Sequence, residues 1–162
     1  MFASRKARPM PSISVRDAVP LYGRPRHVRP IVAAHALAVA TLVVLTVATA
    51  SVGTRGWFDE AYSAVLPAVV FVLPVAVGLV SAALGGGLVP TLALGAAPSL
   101  AWTVAVVLGR GLAILLGRSL PIPDSPLWAI AGAFLLIGLV GVLGGFLAGR
   151  AGRLAWRRLV RE

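Results

Sequence analysis

Four long apolar runs set the rhythm of this chain, at residues 31–52, 62–84, 91–117 and 127–149. Short clusters of polar, charged and turn-forming residues separate them. Each run exceeds the roughly 20 residues that a helix needs to cross a hydrocarbon core of about 30 Å. The pattern predicts an all-α membrane protein, a four-span transmembrane helical bundle.

The fourth run is the most ordered. No charged side chain falls between Leu127 and Gly149, and Gly138, Gly141, Gly145, Gly149 and Gly152 step by 3, 4, 4 and 3. Those steps keep the glycines on one side of a helix. In lipid, small residues let a second helix approach closely, and van der Waals contact replaces the missing hydrophobic drive. Gly138, Gly141, Gly145 and Gly149 are therefore the expected helix-packing residues. Their partner would be another span of the same copy, a second copy (a homo-oligomer) or another membrane protein.

Prolines and glycines punctuate the other runs. Pro67 and Pro74 lie seven residues apart, hence on nearly one face, and predict a bent second span. They serve either to curve a packed helix or to shape a transport path. Pro98 is the corresponding kink position in the third run, which Gly95 and the Gly109-Arg110-Gly111 triplet also interrupt. That run is either one tilted span or a span followed by a short interfacial helix from Gly111. The Gly85-Gly86-Gly87 turn is short enough to make spans two and three antiparallel neighbours. Pro30 stands just ahead of the first span, while Ser125 reads as the N-cap and Pro126 as the first helical residue of the fourth.

The connecting segments carry the aromatic and charged residues. Trp57, Phe58, Tyr62 and Trp128 sit where aromatic rings favour the water–lipid interface. Asp59 and Glu60 fall at the start of the second helix, where the helix dipole favours anions. Residues 1–30 form a basic, proline-broken tail with Arg5, Lys6, Arg8, Arg16, Arg24, Arg26 and Arg29 against Asp17 alone; such a tail is expected to be disordered. Within it, residues 22–27 offer a grip for nucleic acid or acidic lipid; the simpler reading is a topogenic tail near headgroups. Residues 150–162 interleave Arg150, Arg153, Arg157, Arg158 and Arg161 with Leu154, Trp156 and Val160, as in an amphipathic helix lying on or leaving a membrane. The basic head, the first run and Ala48-Thr49-Ala50 also imitate a secretory signal, but both head and run are long for one. A faint two-hairpin repeat is visible, each half running from a proline (Pro30, Pro90) through a span to a loop with an Arg, an acid and a Trp.

Counting charges orients the bundle. The tails hold 7 and 5 of the 15 Lys and Arg residues; Arg55 and Arg118 lie in the other loops and Arg110 lies within the third run. The positive-inside rule then puts both termini in the cytoplasm, in a multi-pass protein of the cell membrane.

Composition sharpens the class. The chain is 59% hydrophobic and 12% charged, whereas about a quarter of a soluble domain is charged. Because the net charge of +10 is concentrated at the ends, it points to a bilayer with anionic headgroups as the partner, rather than to nucleic acid. Arg outnumbers Lys 14 to 1, a bias expected of a GC-rich prokaryotic genome and without functional content.

Candidate chemistry is sparse. Cys, Asn and Gln are absent, the histidines are His27 and His35, and the acids are Asp17, Asp59, Glu60, Asp124 and Glu162. No metal-ligand spacing, nucleophile motif or phosphate-cradling loop occurs, so no cofactor, no metal, no catalytic residue and no enzymatic activity is expected. The candidate intramembrane charges are His35, about one turn into the first span, and Arg110. A guanidinium in an apolar run needs a partner or must snorkel to the interface. With no carboxylate in any run, a proton-coupled exporter is disfavoured. Three roles follow: a non-enzymatic structural, regulatory or subunit protein built on glycine-mediated packing; a small transporter or channel component; or a membrane-tethered binder of anionic lipid or nucleic acid.

Overall fold

The computed structural model describes residues 21, 29–52, 56–118 and 126–160, and nearly all of them are helical. The elements are α1 (Arg29–Val52), α2 (Trp57–Pro67), a π-helical segment (Ala68–Val72), α3 (Leu73–Ala83), α4 (Leu88–Leu115) and α5 (Leu127–Leu159). The segments α2, π and α3 run on without a break, giving four helices long and apolar enough to cross a membrane. The described fold is all-α and compatible with a small integral membrane protein. Only 22–33% of each apolar stretch is buried inside the fold, and Leu37, Val44, Leu100, Leu136 and Val140 are more than half exposed. A surface so uniformly apolar is stable against acyl chains and not against water.

The helix limits differ from those read along the chain, and for local reasons. The second span starts at Trp57 rather than Tyr62, because Asp59 and Glu60 occupy its first turn, where the exposed N–H groups favour acids. Its backbone ladder changes register between its two prolines. Pro74 has no N–H to offer the carbonyl of Val70, and the Leu73 N–H donates to the carbonyl of Ala68, five residues back. The third span is one helix with no break at Gly111 and stops at Leu115.

Two helix ends are closed by the same glycine device. Gly85 (φ 80°) and Gly117 (φ 69°) adopt the left-handed conformation. The N–H of Gly86 reaches the carbonyl of Ser81 at 2.7 Å, and the N–H of Arg118 reaches that of Ala113 at 3.0 Å. Both are six-to-one closures that satisfy carbonyls left open at a helix end. At the start of α5, Pro126 is not the first helical residue. Its ψ of 134° is extended, and its carbonyl accepts from the N–H of Ala129 at 2.9 Å, so Pro126 itself is the cap. Ser125 lies outside the described residues. So do the tail from Arg5 to His27 (save Leu21), Arg55, Asp124 and the Arg161–Glu162 end.

The four spans form a ring. The broadest interface joins α3 to α5, followed by α1 to α4 and α4 to α5. The second span closes the ring against α1, whereas α1 and α5 share no interface among the described residues. Consecutive spans two and three run antiparallel, yet the main packing partner of α3 is α5 rather than α4. One end of the interior is filled by Leu42, Val69 and Trp102, with Tyr62 and Phe134 against them. The opposite half is filled by Val142 and Phe146, both fully buried.

Candidate functional site

The glycine-lined face of α5 is where the helices come closest. A methyl group added at Gly145 would run into the carbonyl oxygen of Val75 and stand 3.1 Å from the amide nitrogen of Leu79. At Gly149 it would stand 2.5 Å from the carbonyl oxygen of Leu79 and 2.9 Å from Ala82 Cβ. At Gly141 the neighbours are side-chain atoms, Val75 Cγ2 at 3.3 Å and Pro74 Cβ at 3.5 Å. As the α5 numbers rise from 141 to 149 the partners on the second span rise from 74 to 82, so these two helices pack in parallel. Gly138 turns to α4 instead, where it faces the backbone of Gly95. A methyl at Gly95 would in turn meet the Gly138 carbonyl oxygen at 3.0 Å and Val142 Cβ at 2.9 Å.

The partner helices contribute small residues of their own. A methyl at Gly78 would strike the Val142 carbonyl and lie 2.8 Å from the Phe146 amide nitrogen. Gly78 and Ala82 are one turn apart, the small-xxx-small spacing of close membrane helices, and that spacing was the available signal for this face. Gly109 does the same for the α1–α4 contact, 2.6 Å from Ala50 Cβ and 3.3 Å from Val47 Cα. Gly152 continues the α5 periodicity but has nothing within 4 Å, because its partner α3 has already ended at Ala83.

Polar side chains are fixed within this framework. Ser81 and Thr91 hydroxyls lie 2.6 Å apart across the α3–α4 turn, and Thr91 donates to the carbonyl of Gly87 at 2.6 Å. Trp102 donates from Nε1 to the Tyr62 hydroxyl at 2.9 Å and meets Phe134 edge-on at 4.9 Å between ring centres. Thr41, Thr46, Thr49, Ser51, Ser63, Ser99 and Thr103 each donate to a carbonyl of their own helix. These seven bonds stay within single helices, whereas the Ser81–Thr91 and Trp102–Tyr62 pairs tie one span to another.

The two candidate charges are not brought together. His35 is 3% exposed and neither ring nitrogen makes a full hydrogen bond among the described residues. The backbone of Leu94 on α4 faces the ring, and the Leu94 carbonyl is the one that Pro98, lacking an N–H, leaves without its usual donor four residues on. Arg110 is 16 residues further along α4, about 24 Å away along the axis, half-buried in the last turns of that helix. Pro67 is exposed at the end of α2, while Pro74 and Pro98 are fully buried. Among the described residues no three His, Cys, Asp or Glu side chains converge on a possible metal position.

The architecture is thus a bundle of four apolar helices, compatible with a small integral membrane protein. Compared with protein-family models, with curated proteins and with solved structures, the chain matches none.

Proposed function

We propose that this chain is a non-enzymatic, multi-pass protein of the cell membrane, with a structural, regulatory or subunit role and with both termini in the cytoplasm. The observation that carries the reading is the backbone-to-backbone contact of Gly138, Gly145 and Gly149 with α3 and α4. It leaves the centre of the bundle packed with small and apolar residues and with no carboxylate among the described ones. The glycine face is consumed inside one copy, so its role is to hold the bundle closed rather than to recruit a second copy. Orientation is supported by the basic ends: α5 runs past the bilayer into Arg150, Arg153, Arg157 and Arg158, while Asp59 and Glu60 stand at the opposite end of the second span.

The test is reconstitution of the full chain alone in liposomes, with ion conductance and solute uptake recorded. Flux no greater than that of protein-free vesicles is expected. A flux that disappears in Arg110→Ala would overturn the reading in favour of a transport role.

A further inference from the structure

A groove of about 390 Å³ opens between the first and second spans, walled by Ile31 and Ala34 on α1 and by Leu73, Ala76 and Val80 on α3 with its C-cap Leu84, and the buried His35 ring lies at its back. We propose that this groove holds one acyl chain of an anionic phospholipid, with its phosphate at the arginine-bearing end of the bundle. The inference rests on the membrane reading above and adds a defined lipid site to it.

Three features select that occupant. The first is length: from Leu73 to Leu84 the wall extends about 17 Å along α3, close to half of a hydrocarbon core of roughly 30 Å, so the groove is one leaflet deep. The second is chemistry, since the exposed walls are almost wholly apolar and offer an amphiphile's head nothing to bond. The third is charge. Arg29 precedes Pro30 at the mouth, and the Arg153 guanidinium lies over the turn just beyond Leu84, its Nη1 3.0 Å from where a Gly85 methyl would stand. The acids among the described residues, Asp59 and Glu60, are about 36–39 Å away at the far end of the second span. Two guanidinium groups with no carboxylate at their end of the bundle among the described residues match a phosphate, and basic pockets between spans are a recurrent form of anionic-lipid site. A second, smaller groove along Leu37, Ala40, Thr41, Val44 and Leu45 is formed by α1 alone among the described residues. It has no second wall and no such basic mouth, and it serves as the control.

The experiment uses the full wild-type chain in phosphatidylcholine liposomes with a trace of phosphatidylglycerol carrying a photoreactive group on its acyl chain. Labelling should concentrate on residues 30–34 and 73–84 and should be competed by unlabelled phosphatidylglycerol. Labelling spread evenly over the outward faces of α1, α4 and α5 would overturn the proposal. In native mass spectrometry, Arg29→Ala combined with Arg153→Ala should lower phosphatidylglycerol retention about tenfold and leave phosphatidylcholine retention unchanged; equal retention of phosphatidylglycerol would also overturn it. Ala76→Phe should abolish groove labelling while Ala40→Phe leaves it intact, and the wild-type labelling map decides the matter if Ala76→Phe does not fold. Groove labelling in a protein that also conducts would sink the non-transport reading and leave the lipid site standing.

Discussion

Gly144 and Gly145 are neighbours of identical chemistry with opposite surroundings. Gly144 has nothing within 4 Å, whereas a methyl at Gly145 meets the main chain of Val75, which cannot swing aside as a side chain would. Gly145→Ala should therefore destabilise the bundle by about 1–3 kcal/mol, the ordinary range for overpacking, while Gly144→Ala leaves it unchanged or slightly firmer. Unfolding in mixed micelles measures both, and equal midpoints for the two variants would remove close packing from the account. Gly141, which faces side-chain atoms, should tolerate alanine better than Gly145. The three-and-four spacing marks these positions plainly in the sequence. Their partner is not marked there, because in an apolar span the residues that face lipid and those that face a helix have the same composition. Gly152 shows the converse limit, as a period says nothing of where the opposing helix stops.

At the scale of the element, the glycine closures separate backbone strain from crowding. Gly85 has the Arg153 guanidinium against it and Gly117 has nothing within 4 Å, yet both hold a positive φ. Alanine at either should cost about 1–2 kcal/mol from the left-handed conformation alone. The check is thermal unfolding of Gly85→Ala and Gly117→Ala beside Gly111→Ala, which lies inside α4 in open space and should cost nothing. The four helices could be read from the apolar runs, since length and uninterrupted hydropathy are strong signals. The register change in the second span could not. A proline announces a lost donor, but whether the chain answers with a kink or with the wider ladder of Ala68–Val72 depends on the packing of Val69, Val70 and Pro74, all buried.

For the whole molecule, orientation is the property most directly open to measurement. The sequence has no cysteine, so single substitutions report without background. Glu60→Cys should react with a membrane-impermeant maleimide from outside intact cells, and Val160→Cys only after permeabilisation; the reverse pattern would invert the bundle. The ring order was not legible in the chain. Short turns predict that consecutive spans meet, and they do, but the extensive contacts are those of spans one with three and two with four. Parallel pairing of alternate spans depends on residues far apart in sequence, such as Gly78 with Val142 and Gly109 with Val47.

That pairing bears on the order of events during synthesis. The helix that α3 packs against most broadly is the last of the four to be made, with Val142 64 residues behind the Gly78 that must receive it and Gly145 70 residues behind Val75. Until α5 arrives, the small-residue face of α3 lacks the helix that covers it in the finished bundle. Closure of the bundle is thus the last of these packing steps, made only once α5 has been translated.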